Sequence, residues 1–195
     1  EKENEVIACH EAGHALMARN TPGADPLSKV TIIPRGRSLG ATEQLPEEDR
    51  HNYSKKYLED RMSIMLGGRA AELVMFDMAT NGAADDLKKV TEIASKMVCQ
   101  WGMSEKLGPV TFSRGREDMF LGKQMNEPRD FSESTAKIID EEIRRIVKER
   151  VDHAAGVLQK EKEKLDILIK VLVEQETLTN SEIDELFETQ LQKKA

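Results

Sequence analysis

The stretch His10-Glu11-Ala12-Gly13-His14 constrains this chain more tightly than any other, because two histidines and the glutamate between them can act together only on a helix. Residues four apart lie on one helical face. His10 and His14 can therefore turn imidazole nitrogens toward one tetrahedral zinc ion, one per chain, while Glu11 projects beside the open coordination position. The flanks agree: Val6, Ile7, Leu16 and Met17 keep helical spacing from about Asn4 to Arg19, and Asn20-Thr21-Pro22-Gly23 closes the pattern with a turn. A carboxylate at Glu11 can take a proton from metal-activated water and pass it to a leaving amine, which is the chemistry of peptide hydrolysis. The competing reading is a chance helix with two surface histidines, and apolar Val6 and Met17 on the histidine face weigh against it.

A catalytic zinc needs a third protein ligand. A metzincin extension would require Gly at position 17 and His at position 20, where this chain has Met17 and Asn20. His51 lies in a polar run and His153 far along a charged helix, so both read as surface histidines. Two carboxylate sites remain. Glu72 follows Gly67-Gly68-Arg69 on a helix and would complete a two-His, one-Glu set. Asp85 and Asp86 open a later helix, where capping and the helix dipole are the ordinary explanation. Spacing alone leaves the two sites level.

The rest of the chain reads as mainly α. Charged residues make up 33% and aromatics 4%, which suits helices with long solvated faces better than a β sandwich. A net charge of −7 without a long basic block argues against nucleic acid as a partner. Cys9 and Cys99 form no CxxC pair and read as reduced core thiols. No apolar run approaches the roughly 18 residues of a membrane span, so a soluble fragment with no membrane contact of its own is expected. Lys29-Val30-Thr31-Ile32-Ile33 and Leu39 to Leu45 carry strand signatures and predict a small sheet beside the first helix. Helices are expected from about Tyr53 to Met75, with Gly67-Gly68 interrupting, and from Asp85 to Trp101, stopped by Gly102. Residues 103–130 read as loop with at most short strands. Asp130 with Glu133 predicts the cap of a long helix, Lys160 to Lys164 a solvated joint, Leu165 to Val173 a further helix, and Thr179 with Glu182 the cap of a final one. This predicts a peptidase core over residues 1–128 and a C-terminal helical subregion over 129–195, packed on the same domain.

Taken together, His10-Glu11-Ala12-Gly13-His14-Ala15, Val30-Thr31-Ile32-Ile33-Pro34-Arg35-Gly36, Gly67-Gly68-Arg69-Ala70-Ala71-Glu72 and Gly82-Ala83-Ala84-Asp85-Asp86-Leu87 closely resemble the peptidase domain of the FtsH family. The likeness continues through Gln100-Trp101-Gly102-Met103-Ser104, Leu107-Gly108-Pro109 and Phe120-Leu121-Gly122, and covers nearly the whole chain. These are membrane-anchored, ATP-dependent zinc proteases. The resemblance implies Asp86 as the third zinc ligand, which leaves Glu72 either to pack its helix or to stand behind a ligating imidazole. Asp85 stands where relatives commonly have Asn and is a second candidate for that supporting role. Also implied are a six-fold ring, an ATPase part N-terminal to this segment, and attachment to the cytoplasmic face of a bacterial inner membrane, an organelle inner membrane being the lesser alternative. No GxxxxGK[ST] loop occurs here, so ATP would enter only through that other part.

The expected function is thus zinc-dependent endoproteolysis of unfolded or damaged proteins, with His10, His14 and Asp86 as ligands and Glu11 as general base. If Val30, Thr31, Ile32 and Ile33, or Leu39 to Leu45, form an exposed sheet edge, an extended substrate can add there as a strand. The alternative is an inactive oligomerisation module with structural zinc. The intact Glu11 favours the enzyme.

Overall fold

The computed structural model describes residues 2–34, 39–45, 52–113, 117–120, 123–126 and 130–194. The surface role expected of His51 and the Leu121-Gly122 part of the resemblance fall outside them. The fold is mainly α with a small antiparallel sheet. The chain groups into two compact units, one of Glu1–Leu87 with Arg150–Ala195 and one of Lys88–Glu149.

The discontinuous unit is built around helix α1 (Lys2–Asn20), whose Ala8, Ala12, Ala15, Leu16 and Met17 are buried. It packs against α3 (Gly67–Phe76) and α6 (Lys162–Gln175), which bring Ala70, Ala71, Leu165, Leu168 and Leu172 to the same core. Small residues let α1 and α3 approach closely. A Cβ on Gly13 would fall on the carbonyl of Gly67, and one on Gly67 would lie 2.7 Å from the carbonyl oxygen of Gly13. The helix expected over 53–75 is in fact two, α2 (Lys55–Met65) and α3, parted at Leu66 with φ −90° and ψ 0°. Gly67 and Gly68 therefore begin a helix instead of weakening the middle of one, and their lack of side chains serves the crossing with α1. Ser54 caps α2, its hydroxyl accepting from the N–H of Tyr57 at 3.2 Å.

Three strands, β1 (Leu27–Thr31), β2 (Ala41–Gln44) and β5 (Thr177–Thr179), form an antiparallel sheet in the order β2-β1-β5. Val30 faces Thr42 on one side and Leu178 on the other. This corrects the assignment of Val30, Thr31, Ile32 and Ile33 as an exposed edge. Both sides of β1 are paired at Lys29 to Thr31, the N–H of Ile32 donates to the carbonyl of Glu176 at 2.9 Å, and that of Ile33 donates to the Thr31 hydroxyl at 3.1 Å. β-branched composition marks a strand but not its rank in the sheet. The outer strand on the α1 side is β2. Beyond β5, α7 (Asn180–Lys194) begins with the expected capping box: Glu182 accepts from the Thr179 N–H at 2.7 Å, and the Thr179 hydroxyl accepts from the Glu182 N–H at 3.4 Å. Arg19, in the last turn of α1, bonds Asn180 and Asp184 of α7.

In the other unit, α4 (Ala84–Cys99) buries Val90, Ala94, Met97 and Val98, and α5 (Glu133–Lys160) buries Ile139, Ile143 and Ile146. Gly102 takes φ +60° just past α4. Strands β3 (Glu117–Phe120) and β4 (Lys123–Asn126) form a hairpin within the loop-rich stretch. The cap of α5 is Ser132, whose hydroxyl accepts from the Thr135 N–H at 3.3 Å. Asp130 instead accepts from the backbone of Ser113 at 2.8 Å. Glu142 is buried and receives Ser104 Oγ at 2.7 Å and Arg145 Nε at 3.0 Å.

Candidate metal centre

His10 and His14 sit one turn apart on α1, and their Nε2 atoms face each other at 3.1 Å. Asp86, in the first turn of α4, brings Oδ2 to 3.4 Å from His10 Nε2 and 3.3 Å from His14 Nε2. One ligand atom from each of the three lies within 4.8 Å of the others, and this is the metal-capable group among the described residues.

The opposite face of each imidazole is already engaged. His10 Nδ1 donates to Glu72 Oε1 at 2.8 Å, and His14 Nδ1 donates to the carbonyl of Ile64 at 2.9 Å. A backbone carbonyl can only accept, and a carboxylate with two further donors on it accepts as well. Both histidines therefore carry a hydrogen on Nδ1, and in the neutral form of each ring Nε2 is the lone-pair nitrogen. Two imidazole nitrogens and a carboxylate oxygen converge, and two nitrogens with one oxygen are a donor set that suits zinc.

Electrostatics follow from this crowding. Burial pulls the His10 imidazole down, yet the hydrogen bonds it gives to the Asp86 and Glu72 carboxylates outweigh it and its pKa stands above the usual value. Burial works to raise the Asp86 carboxyl, while its bonds to His10 and His14 hold it far below the ordinary carboxylate range. Glu72 has no exposed surface, and the backbone N–H and hydroxyl of Thr80 reach its two oxygens at 2.9 and 3.1 Å. Asp85 is exposed and outside the converging group. His153 is exposed on α5.

Glu11 is 7% exposed and lies between α1 and the sheet. The Thr42 hydroxyl of β2 comes to 2.8 Å from Glu11 Oε2 and 3.1 Å from its backbone carbonyl; having one hydrogen, it favours the shorter, charge-assisted contact. Gly40 leaves the room this needs, since a Cβ there would lie 2.8 Å from Glu11 Cγ and 2.9 Å from Oε1. Gly68 does the same for His10, where a Cβ would lie 2.5 Å from Nε2. Thr42, Thr80, Gly40 and the carbonyl of Ile64 had no signal in the chain read locally.

No helix among the described residues is long and apolar enough to cross a membrane. The ATP-dependent zinc metalloprotease FtsH of Nitrosococcus oceani is 53% identical over 187 residues, which is 96% of this chain and 29% of that protein. Its namesake from Pelobacter propionicus is 50% identical over 185 residues, 95% of this chain and 30% of that protein. The chain spans less than a third of the length of either relative. The description "Peptidase family M41" matches residues 1–186, a span that holds the converging histidines, the aspartate and the sheet beside them, and the chain belongs to that family.

Proposed function

We propose that this chain is a zinc-dependent endopeptidase domain in which His10 Nε2, His14 Nε2 and Asp86 Oδ2 hold the ion and Glu11 is the general base. The observation that carries the reading is the convergence of two imidazole nitrogens and one carboxylate oxygen, with the far nitrogen of each ring bonded to an acceptor. Such a cluster would suit a cation, and two imidazoles with a carboxylate are a donor set that would hold a catalytic zinc. Zinc bound there supplies Lewis acidity, which brings the pKa of water toward about 7 and polarises a scissile carbonyl. Glu72 keeps the hydrogen of His10 on Nδ1, so that Nε2 stays a donor to the ion. With Oε2 engaged by Thr42, Oε1 of Glu11 is the oxygen that takes a proton from the attacking water and returns it to the leaving nitrogen.

Substrate enters as an extended chain along β2, the outer strand beside Glu11, using backbone hydrogen bonds that read no particular side chain. Unfolded or damaged polypeptides are the fitting substrates. The names of the relatives support ATP dependence of the whole protein, and the family resemblance alone supports a hexamer anchored at the cytoplasmic face of a bacterial inner membrane, with the ATPase activity residing outside this chain.

Zinc-dependent cleavage of an unfolded model protein, lost in Glu11→Gln while zinc is still bound, is the expected result. If the wild-type chain binds zinc and does not cleave, the enzyme assignment for this segment alone is refuted and an assembly module takes its place. For the strand, the same unfolded protein added to zinc-loaded Glu11→Gln should slow amide hydrogen exchange across Ala41–Gln44; unchanged exchange there would sink the docking reading.

A further inference from the structure

Thr80 lies outside the converging group, just before the 3-10 turn of Asn81–Ala83 that leads into α4. Its hydroxyl donates to Glu72 Oε1 at 3.1 Å and accepts from the N–H of Gly82 at 3.1 Å, and its own N–H donates to Glu72 Oε2 at 2.9 Å. Glu72 Oε1 in turn receives His10 Nδ1 at 2.8 Å. A hydroxyl carries one hydrogen and two lone pairs, so a single side chain satisfies both ends of this network at once. The position opposite is kept clear: a Cβ on Gly82 would stand 3.2 Å from Thr80 Oγ1 and 4.0 Å from His10 Nδ1.

The two consequences meet at the metal. Through Glu72, Thr80 fixes the ring of His10. Through Gly82, it fixes the turn whose continuation carries Asp86. We propose that Thr80 is the positioning residue of the metal site, setting a histidine on α1 and an aspartate on α4 in register before the ion arrives. A carboxylate with no exposed surface needs its donors, and one deprived of the hydroxyl relaxes by turning away from His10. Preorganisation is lost and the ion must restore it on binding, at the expense of affinity.

The inference rests on the zinc reading of His10, His14 and Asp86, and zinc affinity tests the two separately. Competition against a chromophoric chelator, with melting of the zinc-free chain alongside, compares wild type with Thr80→Val, Thr80→Ser and Glu72→Gln. Thr80→Val keeps the shape and loses both hydroxyl bonds, and its zinc affinity should fall roughly 10- to 100-fold. Thr80→Ser keeps both bonds and should stay within about threefold of wild type, whereas a tenfold loss there would overturn the proposal even if the valine variant failed to fold. In the Thr80→Val, Glu72→Gln double variant the losses should be far from additive, because Thr80 acts largely through Glu72. Additive losses, or a folded valine variant that binds zinc as wild type does, would refute the positioning role and leave the donor set standing. A wild-type chain that bound no zinc would overturn the donor set and this inference together.

Discussion

Replacing Gly68 by Ala separates loss of metal from loss of fold. The added Cβ would lie 2.5 Å from Cε1 and Nε2 of His10 and 2.6 Å from Cδ2, against an ordinary carbon contact of about 3.5–4.0 Å. The ring has to move by about 1 Å or more. It cannot slide with its helix, because α1 is held against α3 where Gly13 meets Gly67. Rotation is the remaining route, and it takes Nδ1 from Glu72, a charge-assisted bond worth about 1.5–3 kcal/mol. In the first turn of α3 alanine returns at most about 1 kcal/mol through helix propensity, so the net loss of stability is about 0.5–3 kcal/mol and Tm falls by roughly 1–12 °C. Zinc binding suffers far more. Losing a partner behind a ligand costs about 10- to 100-fold in affinity, and displacing the ligand itself must exceed the upper end of that range. Gly67→Ala offers the contrast, since its Cβ meets backbone at 2.7–3.0 Å, on Gly13 and the nitrogen of His14, which no rotamer relieves. Overpacking there costs about 1–3 kcal/mol and lowers Tm together with affinity. Chelator competition and thermal melts on both variants decide the matter. Gly68→Ala binding zinc within tenfold of wild type would refute the reasoning.

Three further outcomes are expected. Thr42→Val removes the hydroxyl from Glu11 Oε2 and should lower kcat for peptide cleavage roughly tenfold with zinc affinity unchanged, whereas an equal fall in zinc affinity would mean that Thr42 serves the fold. The hydrogen bond from Arg145, with support from Ser104 and Lys106 and against the opposition of burial, holds the Glu142 carboxyl down at about 2 from 4.5. Because the folded pKa is the lower one, its contribution, on the order of 2 kcal/mol after allowing for the exposure of its cationic partners, is complete above pH 4.5 and fades as pH falls toward 2. Glu142→Gln should flatten that part of the stability profile, measured by denaturant melts across the range; an unchanged slope would assign acid lability elsewhere. Burial first, then Glu72 and Glu5, pushes the Cys9 thiol up to about 12, so native protein at pH 8 should resist iodoacetamide at Cys9 and label only on unfolding, and rapid native labelling would contradict this.

Legibility in the sequence tracked locality. α1 was readable because the histidine spacing and the apolar period both repeat within a few residues, and the Thr179/Glu182 cap because its partners are three apart. β5 was not, since three residues after Glu176 in a left-handed conformation become a strand only by lying against β1. The break at Leu66 was hidden for a related reason: a glycine pair tolerated for close backbone packing reads the same inside one helix as at the start of a second, and only the crossing with α1 tells them apart. Asp130 and Ser132 both look like caps, and which one faces the helix is decided by the Asp130 bond to Ser113, seventeen positions away. At the candidate site, residue types announced His10, Glu11 and His14, and the resemblance singled out Asp86. Thr42 and Thr80 are ordinary threonines until tertiary structure sets them against carboxylates.

The seam between β1 and β5 also has a meaning in time. The Thr31 hydroxyl meets that of Thr177 across a separation of 146 positions, and Leu165, Leu168 and Leu172 join the same core as the alanines of α1. A ribosome adding about 5–20 residues per second takes roughly 7–30 s to travel from one threonine to the other. Throughout that interval the histidine motif has been synthesised, but the helix bearing it has no α6 to lie on and β1 has one bare side. The unit cannot close early, so the chain spends its synthesis with the chemistry written and the framework that would hold it still to come.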